Sequence, residues 1–171
     1  MTFSIPRTIL VGGLLSLMFM AMPLSAVAAD APLITPHGVG SLQLGATAKA
    51  LHRQGLIGGL RKGCPFVTGQ RVAPLRTPLD GWATFSDGTR LTSFSIEGGA
   101  ETRRHIGIGS TAGEARSAYP MGEWLPPRKT SPFFVGLLSV NGFEHPKMSF
   151  VFDRKTFRVE AITVPSPGFC D

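Results

Sequence analysis

The feature that most constrains this chain is that it says nearly the same thing twice. LGATAKALHRQG, residues 44–55, is answered sixty-four positions later by IGSTAGEARSAY, residues 108–119. At that offset Gly45 falls on Gly109, Thr47 on Thr111 and Ala48 on Ala112, while Leu42 and Leu44 fall on Ile106 and Ile108. Each position is a local instruction. The alternation of Leu42 with Leu44, and of Ile106 with Ile108, predicts a short extended segment with one buried face. The glycine turns the chain. The threonine stands where a helix N-cap belongs, because its hydroxyl can accept from a first-turn N–H. Thr111 to Glu114 completes a capping box, which the first copy lacks because Ala50 holds that place. Short helices are expected next, ended by Gly55 and by Pro120. Ala48 and Leu51 in the first, and Ala112, Ala115 and Ala118 in the second, give each a small buried stripe.

The echo continues. CPFVTG (64–69) reappears as SPFFVG (131–136) at an offset of 67, the three extra residues falling in MGEWLPPRK (121–129), which reads as an inserted loop. Ala83 and Phe85 are answered by Phe150 and Phe152, alternating as strand residues do. SDGT (86–89) carries the Asp-Gly signal of a tight hairpin, after which Leu91, Phe94 and Ile96 return. DRKT (153–156) makes the second turn, and Val159, Ile162 and Val164 return one residue further out. Each copy therefore reads helix, strand, hairpin. A unit of about 65 residues buries little core alone, but two can share one sheet. The expected class is α+β: two tandem helix-plus-antiparallel-strand repeats, residues 30–100 and 101–171, sharing a sheet with the helices on one face.

Residues 1–29 have the layout of a secretory signal peptide. Arg7 is followed by the apolar run TILVGGLLSLMFMAM and by SAVAAD, where Ala26 and Ala28 form the small-residue cleavage site. The apolar run is shorter than the roughly 20 residues of a membrane span. That favours cleavage over an uncleaved anchor, and no later segment is expected to span a membrane. The expected location is periplasmic or secreted. Without Arg7 the chain keeps 16 basic and 11 acidic residues. An exported basic protein meets anionic lipid, surface polysaccharide and acidic proteins before nucleic acid, so no nucleic-acid partner is expected. Its two cysteines, Cys64 and Cys170, read as one disulfide in an oxidising compartment, closing a loop of about 106 residues.

No catalytic constellation stands out, and the chain does not read as an enzyme. GIGSTA (107–112) matches the G-x-G-x-x-[GA] pattern of dinucleotide sites, but the helix it opens is short and no parallel crossover follows. His37, His52, His105 and His145 lack the spacing that places two imidazoles on one metal, so neither metal nor cofactor is expected. Asp87 and Asp153 sit in turns, where aspartate serves the backbone. The candidate interface is aromatic plus arginine, the composition of protein-binding hot spots. It comprises Trp82, placed by alternation on the sheet face opposite Phe85, with Trp124 and Arg128 of the inserted loop. The pairs Arg103-Arg104 and Arg154-Lys155 form a candidate basic surface; Arg61-Lys62 and Arg128-Lys129 are further pairs.

The opening G-x-L-x-L-G-x-T (Gly40 to Thr47), the short helix and the F-x-D-G-x-x-L hairpin (Phe85 to Leu91), echoed in the second copy, resemble the tandem repeats of beta-lactamase-inhibitor-like proteins. The small outer-membrane assembly lipoproteins are similar in their helix-then-antiparallel-sheet plan. The resemblance spans Gly38 to Val164 and implies an exported, non-enzymatic module that binds another protein on its sheet face. The chain departs from the pattern in having no lipid-attachment cysteine and in a disulfide that would join the repeats instead of closing each one. The expected function is thus a protein-binding module of the cell envelope, its partner an envelope or secreted protein. The alternatives are adhesion to anionic envelope lipid or polysaccharide through the basic pairs, and an unrecognised hydrolase.

Overall fold

The computed structural model describes residues 31–87, 89–127 and 136–166. In chain order the elements are β1 (Leu33–Thr35), β2 (Gly38–Val39), β3 (Leu42–Gln43), α1 (Ala48–Arg53), β4 (Arg61–Lys62), β5 (Arg71–Pro74), β6 (Asp80–Ser86) and β7 (Arg90–Gly98). Then follow β8 (Glu101–Thr102), α2 (Ala112–Ala118), β9 (Glu123–Leu125), β10 (Gly136–Val140), β11 (Met148–Phe152) and β12 (Val159–Val164). Among the described residues 44% are in β structure and 10% in helix, which corrects the expected class. The protein is mostly β, with one sheet of four strands and one of eight, not an α+β chain of helix-plus-strand repeats.

The reason lies in where the helices stop and in what the segments between them do. Thr47 caps α1, its hydroxyl accepting from the Ala50 N–H at 3.2 Å. Gly55, at φ +72, closes it after six residues, and the Leu56 N–H returns to the Leu51 carbonyl at 3.0 Å. Thr111 and Glu114 form the full capping box of α2, which runs seven residues to Tyr119 before Pro120. Helices of two turns or fewer bury little, so most of the core comes from strands. The four-stranded sheet has the order β3-β2-β1-β8, with β1 and β8 parallel: the expected segment at Leu42 becomes β3 and pairs with β2, whereas Ile106 to Ile108 forms no strand, Gly107 making an isolated bridge to Glu101 and Ile108 being exposed. MGEWLPPRK is not simply a loop either: its Glu123–Leu125 pairs antiparallel with β10. CPFVTG, by contrast, is no strand but the connection between β4 and β5.

The eight-stranded sheet has the order β4-β5-β6-β7-β12-β11-β10-β9. The strands of the first half thus meet those of the second in reversed order, joined at β7 and β12. Those two are antiparallel, with Ile96 opposite Ile162, Ser95 opposite Thr163 and Phe94 opposite Val164. Ser95 and Thr163 are 68 apart in sequence, as are Phe94 and Ile162, and Ile96 and Val164. The seam therefore pairs the echo with itself about the Ser95–Thr163 position. The offset grows from 67 to 68 at the hairpin turns. Ser86 to Thr89 is closed by the Thr89 N–H on the Ser86 carbonyl at 3.0 Å, with Asp87 at φ +48. The second turn is longer, running from Asp153 to Phe157, whose N–H reaches the Asp153 carbonyl at 3.0 Å.

Each half also ties its helix start to its last strand in the same way. The N–H groups of Gly45 and Gly109, both at positive φ, donate to Leu91 and Val159, each at 2.8 Å. Arg90 and Arg158, again 68 apart, send Nη1 back to the carbonyls of Gly45 and Gly109 at 3.0 and 2.6 Å. The helices and the four-stranded sheet contribute Leu51, Ala115, Ile34, Val39 and Leu42 to one core with Phe85, Phe94, Phe150 and Phe152. These four phenylalanines are at most 2% exposed, and burying each is worth about 1.5–3 kcal/mol. The core thus lies on one face of the large sheet, where the Tyr119 ring of the α2 cap sits 5.1 Å from that of Phe150.

Candidate functional site

The other face of the large sheet follows from strand alternation and register. Across it runs one continuous row: Pro74, Trp82, Ser95, Thr163, Ser149 and Ser139, ending on Glu123 of edge strand β9. Beside it lies an apolar row, Ala161, Val151, Leu137 and Leu125. On its other side stand Val72, Thr84 and Ser93, meeting Arg61 on edge strand β4. In these three rows the charges, Arg61 and Glu123, fall on the two edge strands. The hydroxyl residues Ser95, Thr163, Ser149 and Ser139 are at most 6% exposed. Thr163 Oγ1 donates to the Ser149 carbonyl at 3.4 Å and Ser139 Oγ to Gly142 at 2.6 Å. No buried side-chain polar atom among the described residues lacks a partner. Trp82 is the large side chain of the row and is 36% exposed.

This face is unusual for an antiparallel sheet, whose outward positions ordinarily carry charged and polar groups. The row from Pro74 to Ser139 carries no charged side chain, but Glu97, two residues past Ser95 on β7, and Glu160 of β12 are exposed beside it on the two central strands. What such a row can do is meet another uncharged surface.

The residues expected to form one interface do not converge. Trp82 lies on the outer face. Trp124 sits opposite Leu138 on the core-side face, packs edge-on against Phe152 with ring centroids 5.2 Å apart, and has the Arg116 guanidinium 5.5 Å from its ring centroid. Arg128 and Lys129 lie outside the described residues. The basic pairs are also dispersed. Arg103 is exposed on the turn after β8, whereas Arg104 donates to the Ala118 carbonyl and lies over the Tyr119 ring at 5.1 Å, pinning the end of α2. Arg154 and Lys155 occupy the β11–β12 turn, organised by Asp153, whose Oδ1 accepts from the N–H of Lys155 and both donors of Thr156. Those bonds, the backbone N–H of Thr156 first, hold the Asp153 carboxyl below its ordinary range. Arg61 and Lys62 alone are joined by a third cation across a strand pair, Arg71 opposite Lys62.

Cys64 is buried and is not a free thiol. Cys170, its expected partner, lies outside the described residues, as do residues 1–30. At GIGSTA the N-terminus of α2 is already occupied by the chain's own Glu114 carboxylate, which accepts from the Thr111 N–H and hydroxyl at 2.7 and 2.9 Å. Those bonds hold its pKa low. Among the described residues no three His, Cys, Asp or Glu side chains gather as metal ligands, and no helix is long and apolar enough to cross a membrane. His105 Nδ1 and Glu101 Oε1 lie within hydrogen-bond distance at the surface, 3.0 Å apart. Comparison with protein-family models, curated proteins and solved structures gave no match for this chain.

Sequence reasoning missed two things. The uncharged row across the outer face shows only once register aligns positions from six strands. The exposure of Phe66, Val67 and Leu60 on the β4–β5 hairpin and its approach carried no signal, since CPFVTG reads as a buried landmark of the echo.

Proposed function

We propose that the chain is an exported module of the cell envelope that works by binding another protein, and that it does so on the outer face of the eight-stranded sheet. The observation that carries this reading is the uncharged row across that face, with Trp82 part-exposed in it, the apolar row Ala161, Val151, Leu137 and Leu125 beside it, and the charges of Glu97, Glu160, Arg61 and Glu123 around it. Protein interfaces have this composition: charge is depleted at the centre, aromatic residues are enriched there, and polar groups form the rim. Trp82 is the anchor, and the hydroxyls beside it are already buried and bonded within the chain, so a partner laid over this row leaves none of them unpaired. Trp124 has a different part in this reading: it secures edge strand β9 to the core.

The test is capture of envelope proteins on immobilised, oxidised protein, eluted by salt and then by denaturant. A discrete protein should survive the salt gradient and be lost on a Trp82→Glu variant that keeps its thermal midpoint. In the complex, amides of β6, β7 and β12 should exchange more slowly. Retention that is indifferent to Trp82, or release of everything by salt, refutes the reading.

A further inference from the structure

A second surface stands at the β4–β5 end of the sheet. The hairpin presents Phe66 at 90% exposure and Val67 at 45%, with Leu60 at 42% on the approach to β4. Apolar side chains this exposed on a short segment mark an interaction site. The hairpin is built, not loose. Cys64 is buried at its base, and its N–H donates to Gln70 Oε1 at 2.7 Å. The Gly63 N–H reaches the Gln70 carbonyl at 3.0 Å, and that of Val67 the Cys64 carbonyl at 3.2 Å. A Cβ on Gly63 would stand 2.7 Å from the Gln70 amide oxygen, so this closure is tight.

Three exposed cations flank the apolar tip: Arg61, Lys62 and Arg71. Lys62 and Arg71 lie directly opposite each other, an arrangement that is unfavourable in the isolated fold. Among the described residues none of the three has a salt-bridge partner. The Asp87 carboxylate, against Gly69, is the acidic group beside the hairpin. Cations on an edge strand protect it from pairing with other sheets. That accounts for Arg61 and Lys62 but not for a phenylalanine held out in water two residues past Cys64.

The geometry points to docking of this hairpin on an anionic lipid bilayer, with Phe66, Val67 and Leu60 entering the headgroup layer and Arg61, Lys62 and Arg71 meeting lipid phosphates. Apolar insertion and electrostatic attraction are each weak alone and suffice together. Charge complementarity selects the occupant: the tip needs an apolar phase and an anionic surface at the same depth, which a membrane supplies. The inference does not rest on the sheet-face reading, because Phe66, Val67, Leu60, Lys62 and Arg71 lie outside the rows that surround Trp82 and Arg61 alone stands at the edge of both surfaces.

The experiment is sedimentation of the folded, oxidised protein with vesicles of phosphatidylcholine, with and without phosphatidylglycerol. Binding should require phosphatidylglycerol and weaken with salt. Each cation near the surface contributes about a fivefold gain, so Arg61→Gln with Lys62→Gln should weaken binding about 25-fold. Arg103→Gln with Lys155→Gln removes the same net charge elsewhere and should change it less than twofold. Phe66→Ser should weaken binding about tenfold while leaving the thermal midpoint in place. Equal binding to neutral vesicles, no binding to either kind, indifference to Phe66, or equal losses from the two double variants overturns the proposal.

Discussion

Replacing Ile96 or Ile162 by alanine tests whether the two halves of the large sheet unfold as one. The two residues face each other across the β7–β12 seam, and neither has any exposed surface. Truncating either leaves a cavity in a close-packed core, at a cost of about 2–5 kcal/mol. That is a large fraction of the roughly 5–15 kcal/mol that a domain of this size has in total. Side chains directly opposed in an antiparallel pair share contacts, so the double variant should cost less than the two single ones added, by about 0.5–3 kcal/mol. The chain supplies one fluorescent probe per half, Trp82 on β6 and Trp124 on β9. Urea titrations of Trp82→Phe and Trp124→Phe backgrounds report each half separately. If the seam couples the halves, Ile96→Ala lowers the Trp124 midpoint as far as the Trp82 midpoint, by about 1–2.5 M at an m-value of about 2 kcal/mol/M. A Trp124 transition that stays in place, two midpoints in the unmutated chain, or strict additivity of the double variant would show that the seam does not carry the cooperativity assigned to it.

Three further outcomes follow from particular residues. Burial, with repulsion from Asp153 and Glu97 added to it, holds the Glu160 carboxyl above its ordinary range. A raised acid pKa favours the protonated form in the fold, so its contribution is full below the unfolded glutamate value of about 4.3 and is lost as pH rises through the folded value. Glu160→Gln should therefore melt higher than the unmutated protein at neutral pH, the gap closing in acid; a gap that persists at low pH refutes the assignment. Thr111→Ala should cost about 1 kcal/mol by denaturant titration, and Thr47→Ala less, because Thr111 anchors a reciprocal box and Thr47 a single bond; equal losses would remove the role given to Glu114. If Cys64 pairs with Cys170, the non-reduced chain is lighter by two hydrogens, and reduction lowers stability by about 4–5 kcal/mol in the chain-entropy model for a loop of this length; alkylation of both thiols without reductant excludes the bridge.

What could be read from the sequence was what is written locally. Thr47, Gly55, Thr111 and Pro120 start and stop the helices because caps act within one turn of chain. The inward positions of Phe85, Phe94, Phe150 and Phe152 follow from alternation alone. The class was misread because cap and echo announce that a helix exists, not that it is six or seven residues long. The two-residue strands that balance it, β2, β3, β4 and β8, are too short to show any period. Trp124 read as part of a loop for a related reason: two prolines follow it, and its partner strand β10 lies across a segment of weak local signal.

The part that stayed hidden is the part that depends on pairing over long distances. Arg90 and Arg158 carry no mark in the sequence beyond being arginines 68 apart, yet each makes the same bond to a turn glycine 45 or 49 residues earlier. The uncharged row has the same origin. Ser139, Ser149, Thr163 and Ser95 look like ordinary polar positions on four strands, and only their register makes them one row. A single serine exchanged for lysine would be unremarkable on any one of those strands. Across the row it would put an unpaired charge where the residues are at most 6% exposed, a cost borne by the fold itself before any partner arrives. The uncharged row therefore has two causes that the variants separate. Burial forbids charge at Ser139, Ser149 and Thr163, whereas nothing in the fold forbids it at Trp82, which is 36% exposed. An aromatic ring retained there answers to something outside the chain, and that asymmetry is why the binding test is placed on Trp82 and not on the hydroxyl row.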